Sequence, residues 1–349
     1  MKTVAADSFL ALAQTSGRPI VDVRSPSEYA DGHIPGAHSI PLFTDEERAH
    51  IGTTYRVEGR EQAVLEGLSA VGPKLRTLAD RALAVAGADG EVLLHCWRGG
   101  MRSQSAGWLY ERAGLGITLL DGGYKAYRAH VRTLFEKPLP ALLVVGGLTG
   151  SGKTDVLHRL AERGEQVIDL EGLANHRGSA FGGIERQCPT QEHFENQLAH
   201  QIAAVDPARP VWIEDESRLI GKLVLPQSFW NQKIQAPVAF LCVEQDMRVA
   251  RLVEEYGDHP PDALAGSFEA IRKRLGHQRT DEALDALRSG HLSTACAEAL
   301  AYYDKCYLHG LSRRSEAQVT HIECHPSTPE ELATALISWA HDPGKTTRE

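Results

Sequence analysis

The stretch Ala141-Leu142-Leu143-Val144-Val145-Gly146-Gly147-Leu148-Thr149-Gly150-Ser151-Gly152-Lys153-Thr154 decides the fold. Its first half is a continuous apolar run, as a strand buried on both faces requires. Its second half fits G-x-x-x-x-G-K-[ST], in which backbone N–H groups wrap phosphate oxygens. Lys153 places a charge on the terminal phosphates, and Thr154 offers a hydroxyl to Mg2+. Strand, glycine-rich loop and helix follow in the order that motif needs. The plain alternative is a glycine-rich turn that binds nothing. Gly147, Thr149, Gly150, Ser151, Gly152, Lys153 and Thr154 are therefore candidate diphosphate-binding residues.

Downstream, Val167–Leu170, Val211–Ile213 and Pro237–Val243 are further strand candidates. The run Val211-Trp212-Ile213-Glu214-Asp215-Glu216 ends in acid. Glu214 or Asp215 can contact Mg2+ through water, and Glu216 can serve as a base or pair with Arg218. A solvated strand end is the alternative. No residue obviously orients a water for nucleotide hydrolysis, so the loop can bind diphosphate without acting as an ATPase. Leu170–Ser179 is polar and punctuated by glycine. It can line the phosphate site, with His176 and Arg177 near the diphosphate, or be an ordinary surface loop. From Asp246 onward the pattern is mostly helical.

Upstream, Lys137-Pro138-Leu139-Pro140 is a linker, because its prolines stop the preceding helix. Residues 1–136 alternate strands and helices: strands at Ile20–Arg24, Val92–His95 and Thr118–Asp121, helices at Ser103–Ala113 and Tyr124–Glu136. The expected class is α/β, with a parallel-sheet domain over 1–136 and a phosphate-loop domain with a helical C-terminal part over 141–349.

The strand at Val92 runs into Cys96-Trp97-Arg98-Gly99-Gly100-Met101-Arg102-Ser103. A thiol is a weak nucleophile until ionised. A helix N-terminus, loop N–H groups, Arg98 and Arg102 would all favour the thiolate and an anion docked above it. Gly99-Gly100 lets the backbone curl tightly. Attack by Cys96 requires a side chain that reaches solvent; a buried structural cysteine is the alternative. The C-x5-R spacing also occurs in cysteine phosphatases, and the pattern alone does not separate phosphatase from chalcogen transfer.

Asp22-Val23-Arg24-Ser25-Pro26-Ser27-Glu28-Tyr29 and Gly32-His33-Ile34-Pro35-Gly36-Ala37 resemble the rhodanese homology signature. Cys96 falls where that family keeps its sulfur-carrying cysteine. The loop is longer than one for simple thiosulfate and accommodates a larger anion. Asp22 and Arg24 are expected to pair with each other or with loop backbone. A rhodanese unit followed by a P-loop unit resembles the bacterial tRNA 2-selenouridine synthase family. Asp121–Lys125, Leu170–Ser179 and Glu214–Arg218 match as well, so the resemblance covers nearly the full chain.

That resemblance implies 2-thiouridine at the wobble position of the tRNAs for Lys, Glu and Gln as target. It implies S-geranylation from geranyl diphosphate, then replacement of the geranylthio group by selenium from selenophosphate. Cys96 would take the selenium as a perselenide, and the P-loop would grip the diphosphate, with Mg2+ or Lys153 drawing off its charge. A protein that hands over selenophosphate is a further expected partner. For tRNA phosphates the basic residues Arg272, Lys273, Arg274 and Arg279 come first, then Arg313 and Arg314; solvated helix faces are the alternative.

Three other functions remain open. An ATP-dependent tRNA sulfurtransferase with a Cys96 persulfide would show tRNA-stimulated ATP turnover. A cysteine phosphatase fused to a small-molecule kinase would release phosphate from aryl phosphates. A regulatory binding module fits two intact loops least well.

The 349 residues fit two domains, and 42% hydrophobic with 24% charged residues is ordinary for a globular protein. A net charge of −9 argues against a surface coated in basic groups, while leaving room for a local basic groove. Six cysteines without a C-x-x-C pair exclude a disulfide framework and a zinc ribbon. Cys188 with His193 and Cys324 with His325 are the nearest ligand pairs, so no structural metal is expected. Met1–Leu12 lacks the apolar run of a signal peptide, and no stretch approaches a membrane span. A cytoplasmic protein without membrane contact is expected; the last residues, Lys345 to Glu349, would form a frayed tail.

Overall fold

Each of the two loops leaves the middle strand of a five-stranded parallel sheet. The computed structural model describes residues 1–139, 141–184, 186–323 and 328–341. Pro140, the Cys324–His325 pair and the Lys345–Glu349 tail lie outside the described residues. The chain divides into two compact units: Met1–Leu134 with Glu195–His200, and Phe135–Phe194 with Gln201–Glu349.

The first unit runs β1 (Lys2–Val4), α1 (Ala6–Ser16), β2 (Ile20–Asp22), α2 (Pro26–Asp31), β3 (His38–Ser39), α3 (Asp45–Val57), α4 (Arg60–Val71), α5 (Leu75–Ala86), β4 (Glu91–His95), α6 (Met101–Arg112), β5 (Gly116–Leu120) and α7 (Gly123–Glu136). Its sheet has the order β1-β5-β4-β2-β3. Val92, Leu93 and Leu94 of β4 are fully buried, as a middle strand covered on both faces must be. Strand β2 stops at Asp22, earlier than the sequence suggests, because Arg24 turns back to donate to the Asp22 carboxylate. Helix α6 starts at Met101, two residues before the expected start at Ser103. Helices α3 to α5 were not foreseen; α5 buries only Leu78, Ala82 and Ala86, a narrow stripe.

The second unit runs β6 (Leu142–Gly147), α8 (Lys153–Glu162), β7 (Gln166–Ile168), α9 (Leu170–Ala174), α10 (Gln191–Ala204), β8 (Val211–Glu214), β9 (Leu219–Ile220), β10 (Leu223–Val224), α11 (Gln227–Gln235), β11 (Val238–Cys242), α12 (Gln245–Tyr256), α13 (Pro261–Leu275), α14 (His277–Arg288), α15 (Leu292–Leu311), β12 (Val319–Glu323) and α16 (Pro329–Ala340). Its sheet has the order β12-β11-β6-β8-β7, and β9 pairs antiparallel with β10 in a separate ribbon. All six residues of β6 are buried. Helices α8 and α16 cover one face through Val156, Leu157, Leu160, Leu332 and Leu336. Helices α12 to α15 gather around a second apolar core that includes Phe181, Leu264, Phe268 and Leu300.

The expected strand at Val167–Leu170 ends at Ile168, and Leu170 opens α9 because Asp169 caps that helix through the Gly172 N–H. Strand β12 was hidden in a region that reads as helical. It has one fully buried residue, Ile322, so it lacks the apolar run of β6.

Candidate functional site

The Cys96 loop spans the end of β4 and the start of α6, at the C-terminal edge of the first sheet. Its backbone is clamped to the turn after β5. Tyr124 N–H donates to the Cys96 carbonyl at 2.8 Å, and Lys125 N–H to the Trp97 carbonyl at 3.0 Å. The two segments touch so closely that both sides need glycine. A Cβ on Gly99, at φ +65°, would lie 2.9 Å from the Leu120 carbonyl, and one on Gly123, at φ +59°, would strike the Cys96 carbonyl.

The thiol itself does not meet the sequence expectation. Cys96 is 3% exposed and belongs to the apolar core. Its Sγ lies 3.2 Å from the buried Ser103 hydroxyl, which donates onward to the Gly100 carbonyl. Arg102 is also not free for an anion. It donates to both Glu28 carboxylate oxygens, at 2.6 and 3.2 Å. Burial works to raise the Glu28 carboxyl, but the hydrogen bonds and charge of Arg102 outweigh it and hold it below its usual value. A carboxylate thus occupies the guanidinium that an oxyanion substrate would use. Arg98 and Met101 are exposed on the loop, and Trp97 is half-buried against Tyr124. Asp22 and Arg24 do pair, fully buried, and the Arg24 guanidinium also lies 3.7 Å over the Tyr124 ring.

The P-loop opens on a cavity of about 970 Å3. Thr149, Gly150, Gly152, Lys153 and Thr154 line it; Ser151 is buried behind them with its hydroxyl unpartnered. Gly150 and Gly152 both sit at φ +80°, which curls the loop and leaves the first N–H groups of α8 without helical acceptors. Lys153 bends back to donate to the Gly147 carbonyl at 3.0 Å. The Gly147 N–H donates to the Tyr307 hydroxyl at 3.0 Å, and that hydroxyl donates to Asp215 at 2.7 Å. His176 and Arg177 line the same cavity, with Arg177 paired to Glu255.

The acidic run at the end of β8 divides three ways. Glu214 is fully buried, away from the cavity, and accepts the Leu170 N–H at 2.9 Å. Burial, and then Asp169, push its carboxyl well above the usual range. Asp215 lines the cavity but is saturated by Lys233, Arg314 and Tyr307, which makes it an anchor. Glu216 faces the cavity beside Glu171, both carboxylates converging on the space where Gly178 lacks a side chain. Thr154 donates to Glu171 at 2.9 Å. Among the described residues no group of three or more His, Cys, Asp or Glu side chains converges as a metal cage.

The basic candidates separate in the same way. Arg274 lines the cavity and Lys273 is exposed. Arg272 is consumed by Glu269 and Asp281, and Arg279 pairs with Glu298. Arg314 is 7% exposed and bound to Asp215, which removes it as a nucleic-acid contact. Tyr307 and Arg251 were missed as site residues, and no motif marks them; Glu171 was covered only as part of the Leu170–Ser179 stretch, and Glu28 only as part of a signature.

Residues 5–130 match the rhodanese-like domain, and residues 140–327 match the tRNA 2-selenouridine synthase AAA domain. Fold and site thus define a chain that joins a rhodanese-like unit to a P-loop unit. It is 36% identical over 339 residues to the tRNA 2-selenouridine synthase of Shewanella loihica, across 86% of this chain and 89% of that one. The protein of the same name from Shewanella halifaxensis is 37% identical over 336 residues, across 85% and 90%. The chain belongs to the tRNA 2-selenouridine synthase family. No helix among its described residues is long and apolar enough to cross a membrane.

Proposed function

We propose that this chain is a tRNA-modifying transferase that replaces the sulfur of wobble 2-thiouridine with selenium. The name of the relatives, tRNA 2-selenouridine synthase, supports the formation of 2-selenouridine in tRNA. The division of labour is the article of chemistry that the two loops supply. In the second unit the diphosphate of a prenyl donor, geranyl diphosphate, lies in the P-loop. The thiocarbonyl sulfur attacks the allylic carbon, the carbon–oxygen bond breaks, and its electron pair leaves with the diphosphate. Lys153 and the loop N–H groups stabilise that departing charge. A Mg2+ ion carried by the diphosphate would meet Thr154, with Glu171 beside it.

In the first unit the Cys96 thiolate attacks the phosphorus of selenophosphate and expels selenide, a redox-neutral step that forms no perselenide. The selenide displaces the S-alkyl group, a far better leaving group than a thiocarbonyl sulfur, which departs as a thiol, and water then releases phosphate from Cys96. Because Cys96 is buried and Arg102 is engaged, this step requires the loop to open and Glu28 to release Arg102. Arg274 and Lys273 are the tRNA contacts that fit best, since neither is spent on a neighbouring carboxylate in the ion pairs that hold Arg272 and Arg279.

One observation carries the donor assignment. The cavity lined by the P-loop also has Leu252, Ile271, Tyr256 and Tyr303 as an apolar part of its wall, Leu252 packing on Gly150 itself. That wall suits a hydrocarbon ester of diphosphate. Lys153→Ala should abolish geranylation of thiouridine tRNA and spare selenation of tRNA already geranylated. Cys96→Ser should accumulate geranylated tRNA and stop selenation. Mass analysis of the nucleosides reads both, and normal geranylation by the Lys153 variant would refute the assignment.

A further inference from the structure

Helix α12 lies over the mouth of the P-loop. Its residues Arg248, Arg251, Leu252 and Glu255 share one face by the i, i+3, i+4, i+7 rule. Three of them have clear structural uses. Arg248 is buried, donates to the Thr149 carbonyl at 3.2 Å, and is fixed by two 2.8 Å bonds to Asp304. Leu252 belongs to the helical core, and Glu255 holds Arg177.

Arg251 is different. Its guanidinium sits against Gly152 so closely that a Cβ at that position would overlap it. Gly152 immediately precedes Lys153, so this second cation stands at the N-terminus of α8, where anions are drawn. Arg251 also lines the cavity. Its partner here is Asp155, at 3.0 Å, and both side chains are partly open to solvent at 32% and 59%. A pair so exposed is weak and easily exchanged.

We propose that Arg251 is a second phosphate-binding side chain of this cavity, parked on Asp155 until a diphosphate displaces that carboxylate. The proposal rests on the P-loop holding a diphosphate. A phosphate gripped by the loop N–H groups would lie within the same concavity as the guanidinium. Arginine matches two phosphate oxygens at once, whereas Asp155 offers it a single short contact. Exchange therefore favours the ligand. It also explains why Gly152 is required twice, once for its φ of +80° and once for the space that Arg251 fills.

The test is titration of the full-length chain with inorganic pyrophosphate at fixed Mg2+ and salt. Arg251→Ala should weaken binding about tenfold, the loss expected for one charge-assisted phosphate contact. Arg251→Lys should recover part of it, keeping charge without the fork. Asp155→Ala should tighten binding by freeing Arg251, and that gain should shrink in the Arg251→Ala background. Wild-type binding by Arg251→Ala, or an Asp155→Ala gain that is the same with and without Arg251, would overturn the proposal alone. Failure of the unmodified chain to bind pyrophosphate would overturn the P-loop assignment as well.

Discussion

At the scale of single residues, the ion pair between Glu28 and Arg102 has the largest chemical consequence. It keeps the guanidinium beside Cys96 occupied and the loop closed over the thiol. Glu28→Gln removes the charge while keeping size, so Arg102 should loosen and Cys96 should be alkylated by iodoacetamide severalfold faster. An unchanged rate would show that the core packing around Cys96, and not the pair, sets access. Glu171 gives the pH prediction. Burial first, and then Glu216, push its carboxyl up to about 8, against 4.5 in the unfolded chain. Its contribution to stability is complete below 4.5 and is lost as pH rises through 8, because folding increasingly opposes ionisation. Glu171→Gln cannot ionise. Its gain in Tm over the parent should grow between pH 5 and 8 and then level off; a constant gain would contradict the raised value.

At the scale of elements, each loop is held by other elements as much as by its own residues, the P-loop by Arg248 of α12 and Tyr307 of α15. The Cys96 loop is braced by the turn between β5 and α7, which sequence shows only as Gly122-Gly123. Gly123→Ala should cost at least ~2 kcal/mol in urea unfolding, from a strained φ and a collision with the Cys96 carbonyl. Little or no loss would mean that the two segments separate readily.

This is also where sequence legibility ends. Strands β4 and β6 and the loops after them were readable because apolar runs and glycine patterns are local. The partners Glu28 for Arg102, Tyr307 for Gly147 and Arg251 for Gly152 lie far away in sequence, and no spacing rule joins them. The buried state of Cys96 was hidden for the same reason. Local chemistry of a loop predicts what it can bind, while its exposure depends on distant side chains. Glu214 misled because an acid at a strand end reads as solvated, although the fold seals it from solvent.

At the scale of the whole molecule, the proposed function assigns its two steps to separate sheets and separate loops. Each single-site variant should therefore leave the other step intact. Full-length Lys153→Ala and Cys96→Ser chains, mixed in equal amounts with thiouridine tRNA and both donors, should together make selenouridine if geranylated tRNA is released between steps. No product from the mixture, with each half-step present in its own variant, would show that the intermediate stays on one chain. The tRNA surface should follow the cations that no carboxylate neutralises: charge reversal at Arg274 should weaken tRNA binding and flatten its salt dependence, whereas Arg279, already neutralised by Glu298, should matter less.

The Tyr307 hydroxyl holds the first N–H of the P-loop while also leaning on Asp215, which Lys233 and Arg314 secure from behind. A backbone cradle propped this way before any guest arrives leaves only the side chains of Lys153 and Arg251 to rearrange. Diphosphate capture should then be a one-step encounter, with an observed rate that climbs in proportion to concentration and shows no plateau from slow reshaping of the loop.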